Sequence, residues 1–296
     1  MPSQLLDGKE NAARIKRKLH NHVDSLQKKY GLVPCLAVIR VGENPASKLY
    51  VTSKCRQSEE MGMQAKEHHL PENAHREEVI ELIHRLNANK NVHGILVQLP
   101  LPDHLNPLDI CEAIDLEKDV DGLHPYNLGR LAQGNPYITP CTPKGCMMFI
   151  KDYYKSLKGL KAVIIGCSNL VGKPLGLLLL NEDCTVTYVH RETKNIEEEC
   201  VSADILVAAA GSPKLVKKNW VKPGALVIDV GINYLVHPDG TSDVVGDVDF
   251  NVVKDIAGAI TPVPGGVGPM TVACLLQNTV EVALRQMGLE KEFSKN

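Results

Sequence analysis

The chain lacks the features that mark several common classes of protein. No apolar run in its 296 residues approaches the roughly 20 residues of a membrane span, so no membrane partner is expected. A basic excess is also missing. Thirty-three Lys and Arg stand against 35 Asp and Glu, for a formal net charge of −2 and a pI of about 6.6. That balance argues against a nucleic-acid partner or an anionic surface. The opening MPSQLLDGKENAARIKRKLH has no signal-type apolar core. Its Asp7 and Glu10 fit poorly with an acid-poor transit peptide, so it reads as a soluble amphipathic helix. The nine cysteines are odd in number, scattered, and without a C-x-x-C pair. They read as reduced thiols in a cytoplasmic protein. The 11 histidines contain no H-E-x-x-H, and the neighbours His68 and His69 would point opposite ways on a strand. No metal is expected. There is no internal repeat and no low-complexity segment.

What is present is an alternation of short apolar runs and helical segments. CLAVIRVG (35–42) and HGILVQLPLP (93–102) read as buried parallel strands. Between them Asn44 suits an N-cap, Pro45 a first helical position and Gly62 a C-terminal stop, predicting a helix from Pro45 to about Met61. Asn106–Pro107 opens another, through about Ile114. In the second half KAVIIG (161–166), TVTYVH (185–190), DILVAAAG (204–211) and ALVIDVG (225–231) are strand candidates. Their spacing argues for parallel βαβ units. PMTVACLLQNTVEVALRQMG (269–288) predicts a long helix. The Pro, Gly and Thr of QGNPYITPCTPKG (133–145) mark a domain boundary.

VIIGCSNLVGKPLG (163–176) runs from a strand into glycines, as a dinucleotide-binding turn does, but Ser168 stands where the middle glycine is usual. Gly166 suits the tight turn and Gly172 close packing of helix on strand. Ser168 can serve a phosphate oxygen through its hydroxyl and N–H, at a helix N-terminus that favours anions. The alternative is a βα turn whose glycines are only steric. The next strand ends in His190–Arg191, followed by Glu192 and Thr193. A basic residue there suits a 2′-phosphate, hence NADP, while Glu192 keeps NAD open. Lys173 can assist either.

Tyr50 and Lys54 lie four apart on the predicted helix 45–61 and share a face. Short-chain dehydrogenases use such a Y-x-x-x-K pair. There, however, the glycine turn precedes the pair, and here it follows by more than a hundred residues. Gln98 is polar in an apolar strand and needs a partner; a Lys ammonium is a suitable one. Asp119 and Asp121 flank Val120 before a glycine turn, and one of them can accept from amide-like N–H groups. Their alternative role is turn formation.

Taken together, YVTSK (50–54), VQLPL (97–101), KDVDG (118–122), PCTPKG (140–145), GCSNLVGKP (166–174), VGDV (245–248) and TPVPGGVGPMT (261–271) resemble one family. It is the methylenetetrahydrofolate dehydrogenase/cyclohydrolase family, in its single-purpose bacterial form. The segments occur in the family's order and cover nearly the whole chain. One departure is Cys167, where many relatives carry an Arg suited to the NADP phosphate. The resemblance implies two α/β domains with a cleft between them. An N-terminal catalytic domain (1–139) would be rejoined by the C-terminal helix (270–296), and 140–269 would be a Rossmann-type NADP-binding domain. It implies a homodimer through the cofactor domains, with folate as substrate and NADP as cofactor, NAD being the alternative.

The same resemblance implies residue roles. Lys54 would be the acid/base, positioned by Gln98. Tyr50 would stack on or hydrogen-bond the folate, and Asp121 would hold the pterin N–H groups. Val97, Leu99, Pro264 and Gly265 would line the folate site. Thr142, Gly166, Cys167, Ser168, Val171, Pro174, His190, Arg191 and Ile232 would line the cofactor site. The expected activity oxidises 5,10-methylenetetrahydrofolate to the methenyl compound and hydrolyses that to 10-formyltetrahydrofolate. Other readings of the residues are a related dehydrogenase of a shikimate-like acid, a monofunctional folate dehydrogenase, and a non-catalytic nucleotide sensor.

Overall fold

The structure, a computed structural model, describes residues 3–237 and 241–293. In chain order the first half contains β1 (Gln4–Leu5), α1 (Gly8–Tyr30), β2 (Cys35–Val41), α2 (Pro45–Glu60), β3 (Gln64–Leu70) and α3 (Arg76–Ala88). It continues with β4 (Gly94–Val97), α4 (Pro107–Glu112) and α5 (Pro125–Ala132). Then come α6 (Cys141–Tyr153), β5 (Lys161–Ile165), α7 (Gly172–Leu180), β6 (Thr185–Val189), α8 (Ile196–Cys200) and β7 (Ile205–Ala208). The last part holds β8 (Leu226–Asp229), β9 (Asn233–Val236), β10 (Ser242–Val245), α9 (Phe250–Val253), β11 (Ala259–Ile260) and α10 (Val267–Gln286). The chain forms two compact units. One is Ala13–Cys141 with the chain from Val272 onward; the other is Thr142–Thr271 with the chain up to Ala12. The sequence reading placed residues 1–12 in the N-terminal domain. Instead β1 pairs in parallel with β11, Gln4 beside Ala259 and Leu5 beside Ile260.

The Ala13–Cys141 unit is built on a parallel sheet of order β3-β2-β4. The central β2 is buried at every residue, as a strand covered on both faces must be. α2 starts as the capping residues require: the Asn44 side chain accepts from Ser47 N at 3.1 Å, and Pro45 opens the first turn. The buried Lys118 donates its ammonium to the carbonyls of Leu86 and Asn89 at the end of α3, at 3.1 and 2.8 Å. Leu19, Val23 and Leu26 of α1 pack with Leu276, Val280, Ala283 and Leu284 of α10.

Helix α10 corrects one expectation. By length and composition it is apolar enough to cross a membrane, but 67% of its most apolar window is buried within the protein. Its apolar residues are those of a core helix.

The second unit contains a parallel sheet of order β1-β11-β8-β7-β5-β6. The chain leaves β5 through α7 to β6 at the edge, then returns through α8 to β7 on the other side of β5. The strand order therefore reverses between β5 and β7, which makes their carboxyl ends the topological switch point. Val163, Leu206, Val227 and Ile260 belong to the core of this unit, with Trp220 against it. CTPKG (141–145) opens α6, and α7 begins at Gly172. β9 and β10 form a separate antiparallel hairpin that the sequence reading did not anticipate.

Leu276 of α10, fully buried against α1, gives the test of this packing. Leu276→Ala is expected to cost about 2–5 kcal/mol of stability, read from the shift of a urea unfolding curve.

Candidate active site

In the Ala13–Cys141 unit the predicted polar set converges where β4 ends. Lys54 Nζ donates to Gln98 Oε1 at 2.9 Å, and Gln98 Nε2 donates to the Leu99 carbonyl at 2.6 Å. The second bond orients the amide, so its oxygen faces the ammonium. Within α2 the Lys54 backbone carbonyl accepts from Ser58 Oγ at 2.9 Å. Burial lowers the Lys54 pKa from its ordinary value, while the nearby charge of Asp121 pulls it back up. An ammonium with one amide partner and little water is poised to give up its proton. Tyr50, one turn earlier on α2, is 41% exposed and so open to a ligand. Gln98 and Leu99 are half-buried, whereas the Val97 side chain is 5% exposed and packs in the core with Ile39 and Ile95.

The two aspartates of KDVDG divide their work. Asp119 is buried, and its two oxygens accept from Gly122 N at 2.9 Å and His124 N at 2.8 Å. Asp119 is therefore the turn former, and Asp121, half-buried, is carried by that turn. The segment is anchored beside β4, with Ile95 N donating to Lys118 O at 2.8 Å. The fully buried Asn278 of α10 donates to the carbonyls of Val120 and Thr139, at 2.9 and 3.0 Å.

The second unit holds the glycine turn. Gly166 has φ +103°, and a Cβ there would lie 2.1 Å from the Ala209 oxygen. A Cβ on Gly172 would lie 1.9 Å from the Gly166 oxygen. Both glycines are thus demanded by backbone packing at the switch point. Ser168 Oγ accepts from Val171 N at 3.1 Å, which leaves the hydroxyl hydrogen to donate. Val171 and Pro174 are buried supports of the turn. Cys167 is half-buried, its sulfur 3.9 Å from the Val189 carbonyl.

At the end of β6, Thr193 closes a tight turn. Its Oγ1 accepts from His190 N at 2.9 Å, and its N–H donates to the His190 carbonyl at 2.7 Å. The Arg191 side chain is 92% exposed and lies 3.1 Å from Glu192. Lys173 donates to Asn169 Oδ1 at 2.8 Å. Ile232 follows β8 and is 47% exposed. Thr142 lies 3.0 Å from Thr271, hydroxyl to hydroxyl. The Gly265 carbonyl accepts from Gly8 N at 2.9 Å, and Gly265 has φ +108°, which favours glycine at this bend beside Pro264. Among the described residues no group of three His, Cys, Asp or Glu side chains is arranged to hold a metal.

Sequence reasoning missed a second polar cluster here. Asp229 closes β8, 2% exposed, and its oxygens accept from Gly231 N, Asp247 N and Val248 N at 2.9–3.0 Å. Asp247, fully buried, accepts from the N–H groups of residues 210–212. The available signal was the aspartate that ends the apolar run ALVID.

Fold and residues together define a two-domain α/β dehydrogenase of Rossmann type, with a desolvated lysine in one domain and a glycine turn at the switch point of the other. Comparison with known proteins narrows the class. Residues 6–121 match the family "Tetrahydrofolate dehydrogenase/cyclohydrolase, catalytic domain", and residues 140–287 match its NAD(P)-binding domain. The bifunctional protein FolD of Rhodospirillum centenum is 51% identical over 293 residues, covering 97% of this chain and 96% of its own. The crystal structure of the Campylobacter jejuni bifunctional FolD superposes with a TM-score of 0.91 at 48% identity, covering 96% and 99% of the two chains. The Trypanosoma brucei FolD, in complex with NADP and an inhibitor, has a TM-score of 0.93 at 37% identity, covering 97% and 99%. The chain belongs to the tetrahydrofolate dehydrogenase/cyclohydrolase family.

Asp119 offers a pH test. Burial raises its carboxyl from 3.8 to about 6. The folded chain therefore holds this proton more tightly than the unfolded one. The resulting stability is present below about pH 4 and is lost as the pH rises through 6. Asp119→Asn removes that slope. It also sets an amide NH2 against the N–H of Gly122 or His124, at a cost of about 1–3 kcal/mol. Thermal unfolding of both proteins across pH 4–8 checks both outcomes.

Proposed function

We infer that the chain oxidises 5,10-methylenetetrahydrofolate to 5,10-methenyltetrahydrofolate and hydrolyses the product to 10-formyltetrahydrofolate. The observation that carries this reading is Lys54. It is desolvated, its pKa is lowered, and the Gln98 amide holds it at 2.9 Å, in a chain matched to the family in both halves.

Oxidation removes a hydride from the one-carbon bridge, and the folate nitrogens spread the resulting cationic charge. A dinucleotide held at the glycine turn would supply the hydride acceptor. The step needs alignment more than a base. We assign alignment to Tyr50, beside or stacked on the folate, and to Asp121, which accepts from the pterin N–H groups. Leu99, Pro264 and Gly265 supply apolar and close-packed surface for the folate. Val97 contributes from beneath, through the core.

Hydrolysis needs proton transfer. Water attacks the methenyl carbon, a C–O bond forms, and neutral Lys54 takes a proton from the water. The C–N5 bond then breaks, and the proton moves from Lys54 to N5. The second water proton leaves to solvent as the formyl group forms. A bound cationic substrate lowers the Lys54 pKa further and so favours the neutral amine. Gln98 fixes the direction of the lone pair.

For the cofactor we propose NADP, with NAD as the weaker ligand. The glycine turn 166–172 takes the pyrophosphate, with Cys167 and Ser168 against it. Val171 and Pro174 support that turn, Thr142 lines the cofactor site, and Ile232 offers an apolar edge to the dinucleotide. The 2′-phosphate falls to Arg191, beside His190, with Lys173 able to assist. With Cys167 in the turn, Arg191 is the basic residue at the end of β6. We also propose a homodimer through this unit, supported by Tyr234 and Val236 of β9, which are 52% and 74% exposed. Nine free cysteines support a cytoplasmic setting.

Lys54→Met is expected to lower methenyl hydrolysis by about 10²–10⁴-fold while leaving measurable dehydrogenase activity. Absorbance of the methenyl compound separates the two, and full hydrolysis would remove Lys54 from its role. Arg191→Ala is expected to raise the KM for NADP by about ten-fold and to leave that for NAD nearly unchanged. Equal change for both cofactors would sink the 2′-phosphate assignment.

A further inference from the structure

The Asp229–Asp247 pair has no part in the chemistry assigned above, yet it sits where a doubly wound sheet binds its ligand. The loops after β5 and β7 meet there: Gly166 has no room for a Cβ because of the Ala209 and Ala210 backbone. Asp247 organises the second of those loops. Its Oδ2 accepts from Ala210 N at 2.6 Å and Gly211 N at 2.9 Å. Its Oδ1 accepts from Ser212 N and from Asn233 Nδ2, both at 2.9 Å. Three successive N–H groups converging on one anion form a nest, here filled by the protein's own carboxylate. The fourth donor belongs to β9, one residue past Ile232, so one side chain ties the loop after β7 to the loop after β8.

Asp229 seats that side chain by accepting from Asp247 N at 2.9 Å. The Thr261 hydroxyl accepts from Asp229 N at 2.8 Å. The fit is close on all sides. A Cβ on Gly231 would lie 2.2 Å from Asp247 Oδ1, and one on Gly246 would lie 1.8 Å from Asp229 Oδ2. Asp247 is fully buried and Asp229 is 2% exposed, so both act through the backbone they hold.

We propose that Asp247, seated on Asp229, is a positioning residue for the dinucleotide, setting cofactor affinity through residues 210–212 and Asn233. This rests on the reading that the Thr142–Thr271 unit binds NAD(P). Every partner of Asp247 is a donor, so an amide in its place turns an NH2 against N–H groups and pushes one loop away.

The test uses full-length wild type, Asp247→Asn and Asn233→Ala. NADPH binding is followed by fluorescence titration, and methenyltetrahydrofolate hydrolysis is measured without cofactor. Asp247→Asn is expected to raise the Kd for NADPH by about ten-fold, with hydrolysis within about two-fold of wild type. Asn233→Ala, which removes one of four donors, is expected to raise Kd by about three-fold. An unchanged Kd in Asp247→Asn overturns the proposal, as does hydrolysis that falls in step with binding. Where Asp247→Asn yields no folded protein, Asn233→Ala decides, and an unchanged Kd there overturns it. A wild type that does not bind NADPH defeats the nucleotide reading itself, an outcome separate from an unchanged variant.

Discussion

Where a buried parallel strand stops, its last backbone groups and those of the loop after it must find partners away from water. Both units place their polar chemistry at that position. Gln98 follows β4, Gly166 follows β5, His190 and Arg191 follow β6, the 209–212 loop follows β7, and Asp229 ends β8. The carboxyl ends of these strands bring polar groups next to an apolar interior. A lysine there loses hydration, and a glycine turn there exposes main chain to an anion.

The two units solve the loop problem with the same device. In one, Asp119 accepts from Gly122 and His124 and so carries Asp121. In the other, Asp229 accepts from Gly231, Asp247 and Val248. Burial raises both carboxyls, to about 6 and about 7, against the opposing pull of the N–H groups. Each buried aspartate orders a glycine-containing turn and presents a second aspartate at a defined place. The difference lies in what the second one does. Asp121 is half-buried and available to a ligand, whereas Asp247 is turned inward and spends all its capacity on the protein.

The covered strands were legible because a strand buried on both faces must be apolar along its length, as CLAVIRV and KAVII are. Caps were legible for a local reason: Asn44 and Pro45 satisfy the helix start by themselves. β3 was not legible. As an edge strand it carries QAKEHHL, whose charges suit solvent and give no apolar alternation. The placement of β1 was hidden too, because two residues pairing with a strand more than 250 positions away leave no local signal. The Pro, Gly and Thr of 133–145 mark a domain boundary by composition, yet CTPKG opens α6, because a helix start tolerates a proline that its interior does not.

By itself the sequence determined the family, the two α/β halves, the glycine turn and the i,i+4 pairing of Tyr50 with Lys54. These follow from short-range periodicity, from backbone freedom at glycine, and from motifs kept in order. Only the tertiary structure decided that Gln98 holds Lys54 across 44 positions, that Asp119 rather than Asp121 forms the turn, and that Asp247 gathers the loop after β7. Those outcomes depend on which distant N–H groups a buried carboxylate or amide meets once water is excluded, and chain packing alone sets that.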